Sequence, residues 1–379
     1  MTVVHPEGAW VVRGYQPGDE RAIIALFERV YGRVISEAHW RWKLKTLPSP
    51  VENVWLAFHD DQLIFHYAGI PTVYQALDDE RSVMVGVDTM TAPEFQRRGL
   101  LTQVGRQVYD RWRAAGVAFV LGLPNERWGS RAGALGWVEL FTLQWLVHPL
   151  RLEAVVGRVA RERLSAPAWF VRLSKRMNAQ RAHPRSSGAY APVSRLWNAY
   201  WDRSVSSDAR DAGVQVRAVT RAGPEFDQLW QVCRSEAALS VVRDSAWVNW
   251  RYLSAPSLPY HVLLAERAEQ AVGYLAYRVQ DEGGRKVGAI AELFTKQADA
   301  GARGALLRHA LEQFQAAGVE QAVTLAVPGT AAWRAWRRAG FFGGRSFSVQ
   351  IVPLDENLPM AVLRDPRQWR MSGGDFDII

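Results

Sequence analysis

The chain repeats itself. Trp42 is followed six residues later by Pro48, and Trp250 six residues later by Pro256, so both residues recur at an offset of 208. At the same offset Val54 matches Val262, Leu56-Ala57 matches Leu264-Ala265, Gln62 matches Gln270 and Ala68 matches Ala276. Arg13 and Arg217, and Gly136-Trp137 and Gly340-Phe341, recur at 204. Correspondence on this scale means one structural plan used twice. The expected organisation is a first domain over 1–150, a connector over 151–211 and a second domain over 212–379.

Hydrophobic periodicity gives each half a mixed α/β character. Val11–Arg13 reads as a short strand, and Glu20–Val30 carries Ile23, Leu26, Phe27 and Val30 at helical spacing. Trp55–Phe58 and Leu63–Ala68 flank an Asp60-Asp61 turn and predict a hairpin. Val83–Met90 is a further strand. Leu100–Ala115 is a helix with Leu101, Val104, Val108 and Trp112 on one stripe. Ala118–Leu123 is a buried strand, Arg127–Ala134 a short helix ended by Gly136, and Gln144–Val147 a last strand. The fold class is thus α/β with a mixed sheet. Residues 364–379 read as an irregular tail, with disorder the favoured state.

Composition narrows the setting. The formal charge is +8, and residues 151–203 account for all of it, with eleven Arg/Lys against three acids. One basic connector between two near-neutral halves argues against a nucleic-acid binder. Its aromatics, Trp169, Phe170, Trp197 and Trp201, have core-like spacing and do not form a stacking platform. No run approaches the ~20 apolar residues that span a bilayer, and a membrane-surface role has little support. With Cys233 as the single cysteine, neither an internal disulfide nor a cysteine-rich metal site can form. These features fit a soluble cytoplasmic protein without a metal. The oligomeric state is open between a monomer and a homodimer.

The chemistry concentrates in Val87-Asp88-Thr89-Met90-Thr91-Ala92-Pro93-Glu94-Phe95-Gln96-Arg97-Arg98-Gly99-Leu100-Leu101-Thr102. A strand, a basic turn with a glycine, and a long helix follow one another. A helix N-terminus presents unpaired N–H groups and positive potential, which together suit a diphosphate. Gln96, Arg97 and Arg98 add donors, Gly99 allows close backbone approach and Thr102 adds a hydroxyl. Downstream come Pro124-Asn125-Glu126 and Gly136-Trp137. Gln96-Arg97-Arg98-Gly99-Leu100-Leu101 resembles the Gln/Arg-x-x-Gly-x-Gly/Ala signature of GNAT acyltransferases, with Leu101 in place of the small residue. The Trp-Lys/Arg-x5-Pro, Val-Asp-Thr-Met and Pro-Asn-Glu elements are similar to those of tandem-GNAT bacterial proteins. A more distant likeness is to the enhanced-intracellular-survival acetyltransferases.

The resemblance implies acetyl-CoA as co-substrate and a small-molecule primary amine as acceptor. Thr89, Met90 and Thr91 would pair with the pantetheine arm, the 96–102 turn would hold the pyrophosphate, and Asn125 would lie near the thioester. Asp88, a charge in an apolar strand, ranks first as general base, with a structural ion pair as its alternative. Glu126 ranks second. Glu94 reads as a turn residue and His66 as a satisfied strand histidine. Many family members carry a tyrosine acid where this chain has Ala132 and, in the second half, Trp336. Ser130, Tyr67 and Tyr109 are the nearby substitutes. The missing tyrosine keeps a non-catalytic, CoA-binding or scaffolding reading open. In the second half Glu292 stands at the place of Asp88, and the turn Lys296–Gly304 has lost the signature and gained Asp299. That half is expected not to bind CoA but to wall the acceptor site. Trp40, Trp42, Trp55, Trp247 and Trp250 follow the first helix of each half, as core packing or as an aromatic cleft. Asp375 and Asp377 in the tail are lesser candidates.

Overall fold

The computed structural model describes residues 2–5, 8–124, 131–151 and 213–377. In the first half β1 (Thr2–His5) and β2 (Gly8–Gly14) lead to α1 (Glu20–Tyr31) and α2 (Glu37–Lys45). α2 was not read from the sequence, because its Trp and Lys residues give no clean apolar stripe. β3 (Val54–His59) and β4 (Gln62–Ala76) form the expected hairpin, with Asp60 and Asp61 both left-handed in its turn. β5 (Asp79–Thr91), α3 (Leu100–Ala114), β6 (Phe119–Gly122), α4 (Arg131–Ala134) and β7 (Val138–Pro149) complete the half.

The second half runs β8 (Val214–Val219), α5 (Pro224–Cys233), β9 (Leu239–Val241), α6 (Ser245–Val248) and a π-helical turn at Asn249–Leu253. It continues through β10 (His261–Arg267), β11 (Gln270–Asp281), β12 (Lys286–Thr295), α7 (Ala300–Ala316), β13 (Gln321–Ala326), α8 (Ala331–Arg338) and β14 (Phe342–Pro353). α9 (Met360–Leu363) and β15 (Trp369–Arg370) close the described chain.

One mixed sheet joins the halves in the order β1-β2-β3-β4-β5-β6-β14-β7-β13-β12-β11-β10-β8. The last strand of each half has crossed over. β14 pairs antiparallel with β6, Val352 opposite Val120, while β7 pairs with β13, Val147 opposite Val323. The two exchanged strands also pair with each other. Separating the halves would therefore leave unpaired backbone on both sides.

The repeated tryptophans explain a second junction. Trp42 and Trp250 stack with ring centroids 5.4 Å apart. Trp42 Nε1 donates to the Trp250 carbonyl at 2.7 Å, and Trp250 Nε1 to the Trp42 carbonyl at 3.0 Å. The duplication thus shows as a reciprocal contact between the halves. Trp10, Trp40, Trp112 and Trp230 are fully buried core residues.

The tail departs from the expected disorder. β15 pairs with β9, which pairs with β4 of the first half. Trp369 packs against Tyr74, Phe119 and Phe141. Asp375 is buried and receives two hydrogen bonds from Arg243 at 2.9 and 2.8 Å. These pairings needed partners more than 100 residues away, and local composition carries no trace of them. The expected basic helical connector falls on residues outside those described.

Two buried histidines predict acid sensitivity. His66 Nδ1 lies 2.7 Å from the Asp88 carbonyl and His148 Nδ1 3.1 Å from that of Gly340. A carbonyl only accepts, so each Nδ1 carries a proton, and burial keeps each ring neutral at pH 7. Burial lowers both from 6.5 to about 4. The unfolded chain therefore takes up these protons first as pH falls. Their stabilising effect is complete above pH 6.5 and is lost between there and 4, on the order of 3 kcal/mol each. The urea midpoint should fall steeply between pH 7 and about 4.5, and less steeply in His66→Gln; a flat midpoint contradicts this.

Candidate functional site

The turn ahead of α3 is shaped by two left-handed residues. Arg97 has φ 65° and Gly99 φ 79°. Gly99 is the N-cap of α3 and offers no side chain to the first-turn N–H groups. An ordinary N-cap residue satisfies one of those donors itself. Here the helix leaves its first-turn N–H groups and its positive end without a side-chain cap. A non-glycine residue in the left-handed region, as at Arg97, is a local cost of the kind concentrated at functional turns. Gln96 Nε2 bonds to the Thr91 carbonyl at 3.2 Å and fixes the start of the turn. Arg98 lies over the Phe95 ring at 5.0 Å. Glu94 pairs with Arg29 at 2.8 Å, as suits a turn residue. Leu100 and Met90 turn their side chains into the core, so only their backbones face a ligand. Thr89, Thr91, Leu101 and Thr102 are half-buried around the turn. Asn125, Glu126 and Ser130 lie outside the described residues.

β5 and β6 then part. They pair only through Val83–Phe119, Met84–Val120 and Val85–Leu121, while β5 runs on to Thr91. The gap is flanked by Gly86 and Gly122. A Cβ on Gly122 would come within 2.9 Å of the Trp137 ring, and one on Gly86 within 3.7 Å. Trp137 Nε1 donates to the Tyr109 hydroxyl at 3.0 Å, and Tyr109 and Tyr67 hydroxyls are 2.6 Å apart. These two tyrosines are buried packing residues whose phenols burial pushes well up. Their hydroxyls are engaged with each other and with Trp137.

Asp88 breaks the regular strand. With φ 47° it forms a bulge opposite β4, where the register shifts between His66 and Ala68. Its carboxylate is 2.5 Å from Lys43 Nζ on α2, and both side chains are over 90% buried. Burial alone would neutralise both groups, but each charge holds the other. The ammonium stays above its ordinary range and the carboxylate below it. Asp88 is thus held in a buried ion pair with Lys43. A carboxylate held this way is a poor proton acceptor. Asp377 of the tail reaches the same lysine at 3.4 Å and is 38% exposed. Tyr31, at the end of α1, donates to the Thr89 carbonyl at 3.3 Å. Burial and the charges of Asp88 and Asp377 push its phenol up to about 12. Sequence reasoning missed Tyr31, because a tyrosine ending an amphipathic helix carries no motif.

Beside this cluster, between the halves, lies a cavity of about 650 Å³. Trp42, Trp247, Trp250, Lys43, Asp377 and the β5 residue Val85 line it. Of the five tryptophans read from the sequence, these three wall the cleft, whereas Trp40 and Trp55 belong to the core.

Residues 11–138 match a family described as acetyltransferase (GNAT) domain, and residues 224–341 match the acetyltransferase (GNAT) family. The chain belongs to the GNAT superfamily as a tandem protein. Its fold is similar to that of a GCN5-related N-acetyltransferase from Anabaena variabilis ATCC 29413 (TM-score 0.59, 8% identity, 91% of this chain and 73% of that one). It is similar as well to a conserved protein of unknown function, named a probable N-acyltransferase, from Enterococcus faecalis V583 (0.57, 11%, 93% and 74%). A third likeness is to a GCN5-related N-acetyltransferase from Kribbella flavida (0.56, 12%, 90% and 70%). No curated protein matches.

The second GNAT domain keeps the frame but caps the corresponding helix end. β12 and β13 also pair at only three positions before parting, and a cavity of about 720 Å³ opens there. Yet the N-cap of α7 is Asp299, whose carboxylate accepts from Ala302 N at 2.9 Å and pairs with Arg267. The end of α7 is thus occupied by the chain's own carboxylate, whereas the end of α3 carries no side-chain cap. Glu292 is likewise spent. It accepts from Arg243 at 2.6 Å, Tyr252 at 2.9 Å, Ser372 at 3.0 Å and Tyr274 at 3.1 Å. The cavity's size is therefore a weaker guide than its chemistry. Among the described residues no cluster of three or more His, Cys, Asp or Glu could hold a metal, and no helix is long and apolar enough to cross a membrane.

Proposed function

We propose that the tandem GNAT chain transfers an acetyl or similar acyl group from acyl-CoA to a primary amine, with one site per chain. The observation that carries this is the uncapped N-terminus of α3, which follows the strand, β5, that parts from β6 and that also reaches the cavity between the domains at Val85. The residues fit the co-substrate: Gly99 adds no side chain at the helix end, and Gln96, Arg97, Arg98 and Thr102 are the donors of the same turn and first helical turn. Thr89, Met90 and Thr91 would pair with the pantetheine arm, with the backbones of Leu100 and Leu101 at the diphosphate and Asn125 near the arm. Bound acyl-CoA supplies an activated thioester carbonyl.

The chain's own residues hold and move protons. Asp377, on the cavity wall, accepts the proton of the acceptor ammonium, with Glu126 the second candidate. Asp88 stays charged and fixes Lys43, which in turn positions Asp377. Tyr31 keeps its proton at neutral pH; to serve the leaving sulfur its hydroxyl turns from the Thr89 carbonyl, and the second amine proton ends on that sulfur as free CoA thiol forms. Proton transfer by a placed group contributes roughly 10²–10⁴-fold. A primary-amine screen for free CoA thiol should find a substrate. With it, Asp377→Asn should lower kcat at least about 100-fold and leave acetyl-CoA affinity unchanged. Acetyl-CoA binding with no amine ever acylated would favour the non-catalytic reading instead.

A further inference from the structure

We infer that the acceptor carries an anionic group, phosphate or carboxylate, bound by Arg33, Arg278 and Arg345 in the cavity between the domains. The inference rests on the acyl-transfer reading, and it names the substrate class for that site. Five cationic side chains line the cavity against two carboxylates. Most of these charges are already engaged. Lys43 holds Asp88 and Asp377, Arg243 holds Asp375, and Arg251 donates to the carbonyls of Gly374 and Phe376.

The remaining three arginines differ. None has a carboxylate within ion-pair distance among the described residues. Each guanidinium instead lies over an aromatic ring: Arg33 on Phe27 at 5.5 Å, Arg278 on Tyr260 at 5.4 Å and Arg345 on Phe347 at 5.0 Å. A ring face holds a guanidinium without using its in-plane N–H donors. Those donors stay available, and planar forked donors suit phosphate and carboxylate. Arg278 adds a direct sign of a missing partner. Its Nε is buried without a hydrogen-bond acceptor, which is costly unless something supplies one. The three arginines come from the segment just after α1, from β11 and from β14, so both halves contribute. The second domain thereby acts as the specificity wall for chemistry housed in the first. The stacked tryptophans cover the apolar part of the same ligand, and Asp377 lies at the amine end.

The test uses the full chain without acetyl-CoA and follows tryptophan fluorescence, since Trp42, Trp247 and Trp250 line the cavity. O-phosphoethanolamine should bind at least about tenfold more tightly than ethanolamine, the same amine without the anion. Arg278→Gln should weaken phosphoethanolamine about tenfold and leave ethanolamine unchanged. Arg334→Gln, on the other cavity, should change neither. Equal binding of the two amines, no saturable binding of either, or full affinity in Arg278→Gln overturns the inference. A parallel titration with acetyl-CoA separates the two ideas. Failure of acetyl-CoA to bind, with phosphoethanolamine selectivity intact, counts against acyl transfer and leaves the anion site standing.

Discussion

Gly99→Asp should weaken acetyl-CoA binding at least about a hundredfold, roughly 3 kcal/mol, with little change in stability. The second domain already shows what a carboxylate does at this position. Asp299 caps α7, takes up its first-turn N–H and draws in Arg267. Aspartate at 99 would bring the same carboxylate to α3. It would also face the cofactor's own negative charge, and each such pair at about 4 Å opposes binding by roughly 1–4 kcal/mol near a surface. Stability should move by less than about 1 kcal/mol. The left-handed φ of 79° disfavours a side chain, aspartate tolerates that region better than most residues, and a new cap offsets part of the strain. Calorimetry and thermal melts read both quantities. Unchanged affinity would remove the turn from the cofactor site.

Lys43→Met should cost about 3–5 kcal/mol, because it strands the buried Asp88 carboxylate. Adding Asp88→Asn should restore most of that loss. An amide is neutral, and asparagine accepts the left-handed backbone that Asp88 adopts at φ 47°. The double variant should therefore unfold within about 2 kcal/mol of wild type in urea. This cycle separates structural from chemical roles. If Asp88 were the proton acceptor, Asp88→Asn would abolish turnover without the large coupling energy to Lys43. Additive effects of the two substitutions would contradict the ion-pair account.

The duplication was legible because the spacing of Trp42, Trp250 and their neighbours needs no structure to count. So was the turn at 96–102, since a basic glycine turn between strand and helix is a local pattern. The loss of that turn in the second half was also readable, and Asp299 supplies its physical form. The exchange of β7 and β14 was not, because equivalent strands of duplicated halves carry interchangeable patterns. Nor were the docking of Asp375 on Arg243 and the arrival of Asp377 at Lys43, which join residues 132 and 334 positions apart. Asp88 stood out as a charge in an apolar strand, yet sequence could not choose between base and ion pair. Its partner, Lys43, lies on a helix that periodicity did not reveal.

The most direct test is the stoichiometry of acetyl-CoA on the full chain by calorimetry. The account predicts one molecule per chain, with binding lost in Gly99→Asp and kept in Arg303→Gln, a change on the second domain's cavity. Two molecules per chain, or binding that survives Gly99→Asp and disappears with Arg303→Gln, would contradict a single cofactor cradle in the first domain.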